Sequence, residues 1–395
     1  MIISWLIFFS PGGPVAVEAA AGLPVSRLQG LLNRTVSDAG MPGIIMGVQT
    51  PQGAWIGTAG KADLDTGQPM TADMQVRLAS ITKPFAATLI MKLVEEGRLT
   101  LNDSVEHWLP GQVCGGTTIT VKMLLNHTSG LFDPSNSDPN FYQESWPVQP
   151  YRIWKSSDLL ALVNAQSIQR QGTYHYTNSG YYILGMIAEA AAGNPKDADP
   201  LAAMIQSRFF GPLNMARTAL TRSGFKTAPF TRDYSWFGSP FTQISDTSGW
   251  DLSWDWTAGA GVTTAADILT WTQALFGGRV VSPETLNQML TMTVPMNVSG
   301  ALYGLGLVVC QRHSIFQERS IGHAGCNAGT HTEWDYLPDS QRTIFIALNR
   351  SDQPKPTDPV QVDDFKIMNS LIVGVANILN PSRSMSCINT LLLED

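Results

Sequence analysis

Strand-like patterns lie near the two ends of this 395-residue sequence, with a long, mostly helical stretch between them. Near the start, the apolar runs Gly43 to Val48 and Ala54 to Gly57 flank Pro51-Gln52-Gly53, which favours a tight turn and a β-hairpin. Clear strand patterns return only after Tyr303. A sheet that uses both groups joins distant parts of the chain, so the sequence predicts an α+β fold.

Helical patterns flank both groups of strands. Apolar residues at helical spacing mark one helix between Ser26 and Gly40 and another that ends before Asn380. The first stripe comprises Leu28, Leu31, Leu32 and Val36, and the last comprises Phe365, Met368, Ile372, Val375 and Leu379. Each helix needs a surface to cover its apolar face. We therefore predict an α/β sandwich plus a helical subdomain, with one antiparallel sheet built from both chain ends and covered by flanking terminal helices.

The predicted domain boundaries follow from this pattern. The sheet domain comprises residues 24–98 and 260–380, the mainly helical inserted subdomain comprises 99–259, and 381–395 form a C-terminal tail. Residues 1–23 hold a short apolar run followed by small residues, which predicts a leader peptide and a secreted or periplasmic protein. That run is too short to span a bilayer, and the remaining sequence predicts no transmembrane span.

The charge pattern excludes one class of partner. The formal net charge is −7, and the sequence has no cluster of Lys and Arg that would neutralise a run of phosphates. Nucleic acid is therefore not an expected partner.

The four cysteines are Cys114, Cys310, Cys326 and Cys387, and no two form a Cys-x-x-Cys pair. This spacing argues against a zinc knuckle or a thioredoxin-like redox centre. In an exported protein Cys310 can pair with Cys326 or Cys387; free, partly buried thiols are the alternative. No carboxylate or second histidine stands at metal-binding spacing from His323, so we expect neither a metal nor another cofactor.

Ser80-Ile81-Thr82-Lys83 places a hydroxyl and an amine three residues apart. On a helix this spacing puts both groups on one face, where the lysine can activate the serine. Pro84 is compatible with a first helical turn and Gly97 with a helix end, so the serine is predicted at a helix N-terminus. Backbone N–H groups there stabilise charge on a carbonyl oxygen. The alternative is an ordinary helix surface, because a lone Ser-x-x-Lys arises by chance.

A second polar motif is Tyr176-Thr177-Asn178. A phenol beside a lysine ammonium has its pKa lowered, which makes Tyr176 a candidate proton shuttle. Asn178 is a candidate to hold Lys83 or a substrate carbonyl. The alternative is that Asn178 or Ser179 only caps the following helix.

A third motif, His323-Ala324-Gly325, ends a predicted strand. Gly325 permits close approach of a substrate to the backbone. A single histidine on a strand is also commonly structural, so His323 alone decides little.

Together the three motifs resemble those of the serine β-lactamase and D-alanyl-D-alanine carboxypeptidase superfamily. The closest similarity is to the branch with class C β-lactamases, DD-carboxypeptidases with His-Thr-Gly, D-aminopeptidases and some esterases. Other segments resemble the family in the same order, namely Leu124 to Leu131, Tyr176 to Ile187, Phe210 to Met215, Ala258 to Asp267 and Tyr303 to Leu307. Within the first of these, His127-Thr128-Ser129-Gly130 resembles a structural turn of the family, and no catalytic role is expected there.

The resemblance implies a role for each motif residue. Ser80 is the expected nucleophile, Lys83 its activating partner and Tyr176 the general acid/base. His323 is expected to supply the positive or hydrogen-bonding group of the third motif. Asn178 is expected to position Lys83 and the substrate.

The same resemblance assigns substrate binding to the third motif. Ala324, Gly325 and Cys326 are expected to bind substrate, and the backbone N–H groups of Ser80 and Cys326 to form an oxyanion hole. Two residues depart from the family: His323 replaces the usual Lys, and Ala324 replaces a residue that is often hydroxylated. Both changes weaken a clamp for a free carboxylate.

The sequence therefore predicts an enzyme, a serine hydrolase that forms an acyl-enzyme on Ser80. The leading hypothesis is a D-alanyl-D-alanine carboxypeptidase-like peptidase or amidase. A carboxylesterase or β-lactamase on the same scaffold is the alternative, and a non-catalytic peptidoglycan-binding protein is a third hypothesis. The expected partner is a small-molecule or peptide substrate, such as a D-amino-acid peptide, an ester or a β-lactam.

Overall fold

The computed structural model describes residues 22–137, 149–193, 199–224, 226–236, 244–298, 300–327, 329–351 and 364–380. The predicted tail, and the predicted leader except for its last two residues, lie outside these ranges. The α-helices in them are α1 (Val25–Ala39), α2 (Thr82–Glu95), α3 (Val105–Trp108), α4 (Val121–Leu125), α5 (Pro134–Ser137), α6 (Ser156–Val163), α7 (Asn178–Ala191), α8 (Pro200–Ile205), α9 (Trp256–Gly259), α10 (Ala265–Phe276), α11 (Pro283–Thr291) and α12 (Asp364–Leu379). The strands are β1 (Gly43–Thr50), β2 (Gly53–Gly60), β3 (Val76–Arg77), β4 (Ala219–Leu220), β5 (Tyr234–Trp236), β6 (Ile244–Asp246), β7 (Gly261–Thr263), β8 (Val294–Pro295), β9 (Ala301–Tyr303), β10 (Val308–Cys310), β11 (Ser320–Asn327), β12 (Thr330–Leu337) and β13 (Arg342–Leu348).

An antiparallel sheet of eight strands, in the order β2-β1-β13-β12-β11-β10-β9-β8, is the centre of the fold. β1 and β2 form the predicted hairpin. β1 also pairs with β13, from Ile44 opposite Leu348 to Gln49 opposite Thr343. The first strands of the chain therefore meet the last one, which confirms the predicted α+β fold and its sheet built from both chain ends.

The sheet separates two apolar clusters. On one face α1 and α12 contact each other and bury Leu28 and Leu371 against strands β1 and β13. On the other face a larger cluster joins the sheet to α2, α7 and α10. Phe365, which the sequence pattern assigns to the buried stripe of α12, is instead 51% exposed. It lies in the first turn of α12, where its ring contacts His331. None of the described helices is long and apolar enough to cross a membrane.

The middle of the chain is mainly helical, as predicted, but short strands interrupt it. β4 joins β3 and β7 in a small sheet, and β5 pairs with β6. Strands of two or three residues are too short for an alternating pattern, so the sequence does not indicate them. The predicted strand from Tyr303 to Val309 is also divided, because Gly306 adopts a φ of +84° between β9 and β10. The domain boundaries stay a prediction.

Of the two alternatives for Cys310, a disulfide or a free, partly buried thiol, the structure shows the free thiol. Cys310 lies opposite Ser320 at one end of β11, whereas Cys326 is six residues further along that strand. This separation is about 20 Å, far beyond the reach of a disulfide. Cys387, the other predicted partner, lies outside the described residues.

Candidate active site

Ser80 lies in a strained turn between β3 and α2. A 3-10 helix spans Ala79–Ile81, and α2 begins at Thr82, so Ser80 lies two residues before the α-helix rather than opening it. Ala79 adopts a φ of +48°, in the left-handed region that favours glycine. The Thr82 hydroxyl donates to Ala79 O at 2.6 Å and accepts the Gly261 N–H at 2.9 Å. These two bonds hold the strained turn in place.

Strand β11 passes directly beside this turn. A Cβ built on Gly325 would lie 2.4 Å from Leu78 O and 2.8 Å from Ser80 N. On the neighbouring strand β12, the Thr332 hydroxyl donates to the same Leu78 oxygen at 2.8 Å. Glycine is therefore required for the main chain of the third motif to lie against the Ser80 backbone.

Replacing Gly325 with alanine is expected to separate β11 from the Ser80 turn. The new Cβ would meet backbone atoms that cannot rotate away, so we expect a loss of about 1–3 kcal/mol in the free energy of unfolding. We also expect kcat/KM for ester hydrolysis to fall by about 10²-fold, because the reacting groups move apart. Gly47→Ala is the matched control on β1, since a Cβ there would meet only side chains at 3.5–3.6 Å. Equal effects of both substitutions would contradict the close approach.

The Lys83 amine lies within hydrogen-bond distance of three oxygen atoms. Its Nζ is 3.0 Å from Ser80 Oγ, 2.6 Å from Asn178 Oδ1 and 2.9 Å from Ala258 O. The amide and peptide oxygens only accept, so each takes one N–H of the lysine. The remaining N–H of the ammonium, or the lone pair of the neutral amine, points at Ser80 Oγ. An ammonium donates to the hydroxyl there, and a neutral amine would accept its proton.

Burial tunes the titration of Lys83. Its side chain is fully buried, and desolvation lowers its pKa to about 8, against the opposing charges of Asp255 and Asp133. Burial also raises the pKa of Asp255 to about 6, while the charge of Lys83 opposes that rise. The Lys83 amine therefore loses its proton in mildly alkaline solution, which suits a general base.

Asn178 is held by hydrogen bonds that the sequence does not indicate. Its Nδ2 donates to Ser135 Oγ at 2.8 Å, which turns Oδ1 towards Lys83. Asp133 accepts from the Ser135 hydroxyl at 2.6 Å and from the Asn178 N–H. Asp133-Pro134-Ser135 has the local form of an Asx turn. Only the fold shows that this turn supports Asn178.

The Tyr176 phenol interacts with the Ser80 side chain, which acts to lower the phenol pKa. Both residues keep some solvent exposure, whereas Lys83 has none. The prediction that the lysine lowers the phenol pKa is wrong. Burial raises the pKa of Tyr176 well above its usual value, and the interaction with the Ser80 side chain only partly offsets this rise. Lys83 Nζ faces the phenol ring, 4.8 Å from its centroid.

His323 is a neutral imidazole whose two nitrogens both have partners within the protein. Nδ1 is 2.6 Å from Ala324 O, and Nε2 is 3.0 Å from the Tyr303 hydroxyl. A carbonyl only accepts, so we assign the proton to Nδ1, and Nε2 accepts from Tyr303. Burial, reinforced by the charge of Lys83, lowers the pKa of His323 to about 3. The sequence predicts that His323 supplies either a positive charge or a hydrogen bond. This low pKa excludes the positive charge at neutral pH.

The remaining residues of the third motif differ in exposure and in the side of the sheet that their side chains face. Ala324 is exposed, whereas His323 and Gly325 are buried. Because neighbouring residues of a strand face opposite sides of a sheet, the Ala324 side chain points away from His323. Cys326 shares that orientation, and its Sγ lies 2.9 Å from Ser351 Oγ. The third motif therefore meets Ser80 through its main chain at Gly325.

Two further groups escape sequence reasoning. Ala258 is 175 residues from the Lys83 amine that it accepts from, and Tyr303 reaches His323 from another strand. Both begin segments that resemble the family, but nothing in their local sequence assigns either residue a role in the site. Within the described ranges, no group of three or more His, Cys, Asp or Glu side chains would hold a metal ion.

Comparison with known proteins agrees with this geometry. The beta-lactamase family pattern matches residues 28–365. A penicillin-binding protein of Bacillus subtilis (strain 168) is 25% identical over 308 residues, which cover 74% of this chain and 64% of that protein. The chain thus spans somewhat less than two thirds of the length of this curated relative.

Solved structures share the fold along nearly the whole chain. A D-stereospecific amidohydrolase from Streptomyces sp. has a TM-score of 0.73 and 27% identity, covering 88% of this chain and 98% of that one. A D-amino acid amidase from Ochrobactrum anthropi SV3 has a TM-score of 0.76 and 26% identity, covering 91% and 99%. The chain has this fold, matches the family pattern over most of its length and places the Lys83 amine within hydrogen-bond distance of Ser80 Oγ. It therefore belongs to the beta-lactamase family of serine hydrolases.

Proposed function

We propose that this protein is an amidase of D-amino-acid derivatives that works through an acyl-enzyme on Ser80. The observation that carries the proposal is the orientation of the Lys83 amine. Asn178 Oδ1 and Ala258 O each accept one of its N–H groups, and its remaining hydrogen-bonding position faces Ser80 Oγ. The names of two structurally similar proteins, a D-stereospecific amidohydrolase and a D-amino acid amidase, support the substrate class.

Acylation follows from these positions. Neutral Lys83 takes the Ser80 proton while Oγ forms a bond to the substrate carbonyl carbon. The developing oxyanion is proposed to lie between the backbone N–H groups of Ser80 and Cys326. Tyr176, kept protonated by its raised pKa, donates to the leaving nitrogen as the C–N bond breaks, and regains a proton from the Lys83 ammonium. Water then attacks the acyl carbon and gives a proton to neutral Lys83. As the bond between the acyl carbon and Ser80 Oγ breaks, the Lys83 ammonium returns that proton to Oγ and the acid product leaves.

The state of His323 favours substrates that lack a free carboxylate. The imidazole is neutral, and both of its nitrogens have partners within the protein. A substrate carboxylate beside it would lose hydration without gaining a positive partner from this residue. Amides and esters without a free carboxylate lose less hydration free energy when they bind at this position.

A matched pair of substrates tests the proposal. N-acetyl-D-alanyl-D-alanine and its C-terminal amide share the peptide bond between the two D-alanines and differ in the terminal charge. Cleavage of that shared bond is measured for both, and we expect kcat/KM to be at least about tenfold higher for the amide. The L-enantiomer of that amide is expected to react more slowly. A higher value for the free acid would support a carboxypeptidase instead.

Two further substrates distinguish an amidase from an esterase and from a β-lactamase. Hydrolysis of a short-chain aryl ester with no measurable turnover of any amide would support a carboxylesterase, and efficient opening of a cephalosporin would support a β-lactamase. Turnover of none of these compounds would favour a non-catalytic, peptidoglycan-binding protein.

The pH profile provides a separate prediction. Because only the neutral Lys83 amine accepts a proton, kcat/KM is expected to rise with pH along an acid limb with an apparent pKa of about 8. Folded Lys83 releases its proton at lower pH than an unfolded lysine, so this residue's contribution to stability rises with pH between about 8 and 10.5. A profile flat from pH 6 to 9 would contradict Lys83 as the base.

A further inference from the structure

His127, which the sequence assigns to a structural turn, lies beside the catalytic group. It follows α4, adopts a φ of +60° and is fully buried. The next residue, Thr128, donates its N–H to Met123 O at 2.9 Å, and its carbonyl accepts from Gly172 at 2.9 Å. These contacts fix the backbone of the turn, so the imidazole points into the protein.

His127 accepts two hydrogen bonds, one from each neighbour of Tyr176 in the chain. The main-chain oxygen of His127 accepts from the His175 N–H at 2.8 Å. Its Nδ1 accepts from the Thr177 N–H at 3.2 Å. The residues immediately before and after Tyr176 are thus both held by one histidine.

The imidazole also packs on the phenol itself. Its ring centroid lies 4.4 Å from that of Tyr176, at an interplanar angle of 41°. The centroid of the imidazole also lies 4.4 Å from that of the Tyr303 ring, at an interplanar angle of 64°. Tyr303 in turn donates to His323 of the third motif. His127 therefore contacts both the second motif and the residue that supports the third.

The protonation of His127 shows what the imidazole supplies. Nδ1 accepts, so Nε2 carries the proton of the neutral ring, and burial lowers the pKa of His127 well below its usual value. Nε2 is buried without a hydrogen-bond partner among the described residues, which costs about 1–3 kcal/mol. A phenylalanine would fill this space without that penalty. It would not accept the Thr177 N–H.

We infer that His127 is a positioning residue for the reaction, one that holds Tyr176 so that its hydroxyl stays on Ser80 and delivers a proton to the leaving group. This inference rests on the proposed acyl-enzyme chemistry but not on the choice of substrate. It assigns a function to a motif that the mechanism above leaves unused.

A matched pair of variants tests the inference. Asparagine and leucine have the same shape, and Asn Oδ1 occupies the place of His Nδ1, so His127→Asn keeps an acceptor and His127→Leu removes it. The substrates are ethyl butyrate and p-nitrophenyl butyrate, which share one acyl group. Ethoxide needs a proton to leave, whereas p-nitrophenolate does not. The measurement is kcat and KM for each ester, per active site counted by labelling with a fluorophosphonate.

For His127→Leu we expect kcat on ethyl butyrate to fall by about 10–100-fold, with KM changed by less than about twofold. On p-nitrophenyl butyrate the loss is expected to stay below about threefold, and His127→Asn is expected to stay within about fivefold of wild type on both esters. A purely structural role predicts fewer active sites with unchanged kcat per site, or equal losses on both esters. Either result, or identical behaviour of the two variants, would overturn the inference.

The same experiment separates this inference from the proposed function. A wild type that hydrolyses both esters but no D-amino-acid amide would contradict the proposed substrate class and leave the comparison of variants intact. A wild type that turns over neither ester would contradict the Ser80 chemistry, and the role of His127 with it.

Discussion

Replacing Ser80 with alanine is expected to lower kcat for ester and amide hydrolysis by about 10⁵–10⁶-fold, the loss typical when a serine hydrolase loses its nucleophile. Lys83 Nζ lies 3.0 Å from this oxygen, so Ser80 Oγ is the atom that the proposed base activates. Steady-state kinetics on p-nitrophenyl butyrate measure the loss.

The fold of Ser80→Ala is expected to persist. The turn is held by Thr82 through Ala79 O and the Gly261 N–H, and the Ser80 hydroxyl contributes only a net bond of about 1 kcal/mol. Thermal unfolding checks this point. A folded variant that keeps more than about 1% of wild-type kcat would show that another group is the nucleophile.

Replacing Lys83 with methionine is expected to lower kcat/KM by about 10²–10⁴-fold, because the side chain keeps its length and loses the base. The acid limb near pH 8 is expected to disappear with it. The two acceptors, Asn178 Oδ1 and Ala258 O, lose their donor, so some loss of stability accompanies the kinetic effect. Kinetics and thermal unfolding are measured on the same preparation.

Lys226 provides the matched control for this substitution. It is also a buried lysine whose pKa desolvation lowers to about 8, and it pairs with Asp233 rather than with Ser80. Lys226→Met is expected to lower the free energy of unfolding while leaving kcat/KM per folded molecule within about threefold of wild type. Equal kinetic losses in both variants would mean that Lys83 acts only through stability.

The sequence predicts the parts of the site that lie in local patterns. Ser80 and Lys83 are three residues apart on one turn, so their contact follows from helical spacing alone. The terminal hairpin and the amphipathic terminal helices are likewise local, and together they are sufficient to predict the sheet. Tyr176 and His323 enter through resemblance to the family, because nothing local brings them to Ser80.

What the sequence does not predict depends on contacts between distant residues. Ala258, Tyr303 and the support from Asp133 act through single hydrogen bonds across the fold. The pKa of Tyr176 moves opposite to the prediction because burial, which sequence spacing does not report, raises it by more than the Ser80 side chain lowers it. For the same reason His323 is neutral rather than positive.

Covalent labelling of the nucleophile tests the central claim most directly. Wild-type protein treated with a fluorophosphonate is expected to gain the mass of one probe, located by peptide mapping to the segment with Ser80, and the Lys83→Met variant is expected to label far more slowly. Ser80→Ala is expected to gain no mass. A probe found on any other residue of the wild type, or equal labelling of Ser80→Ala, would contradict Ser80 as the nucleophile.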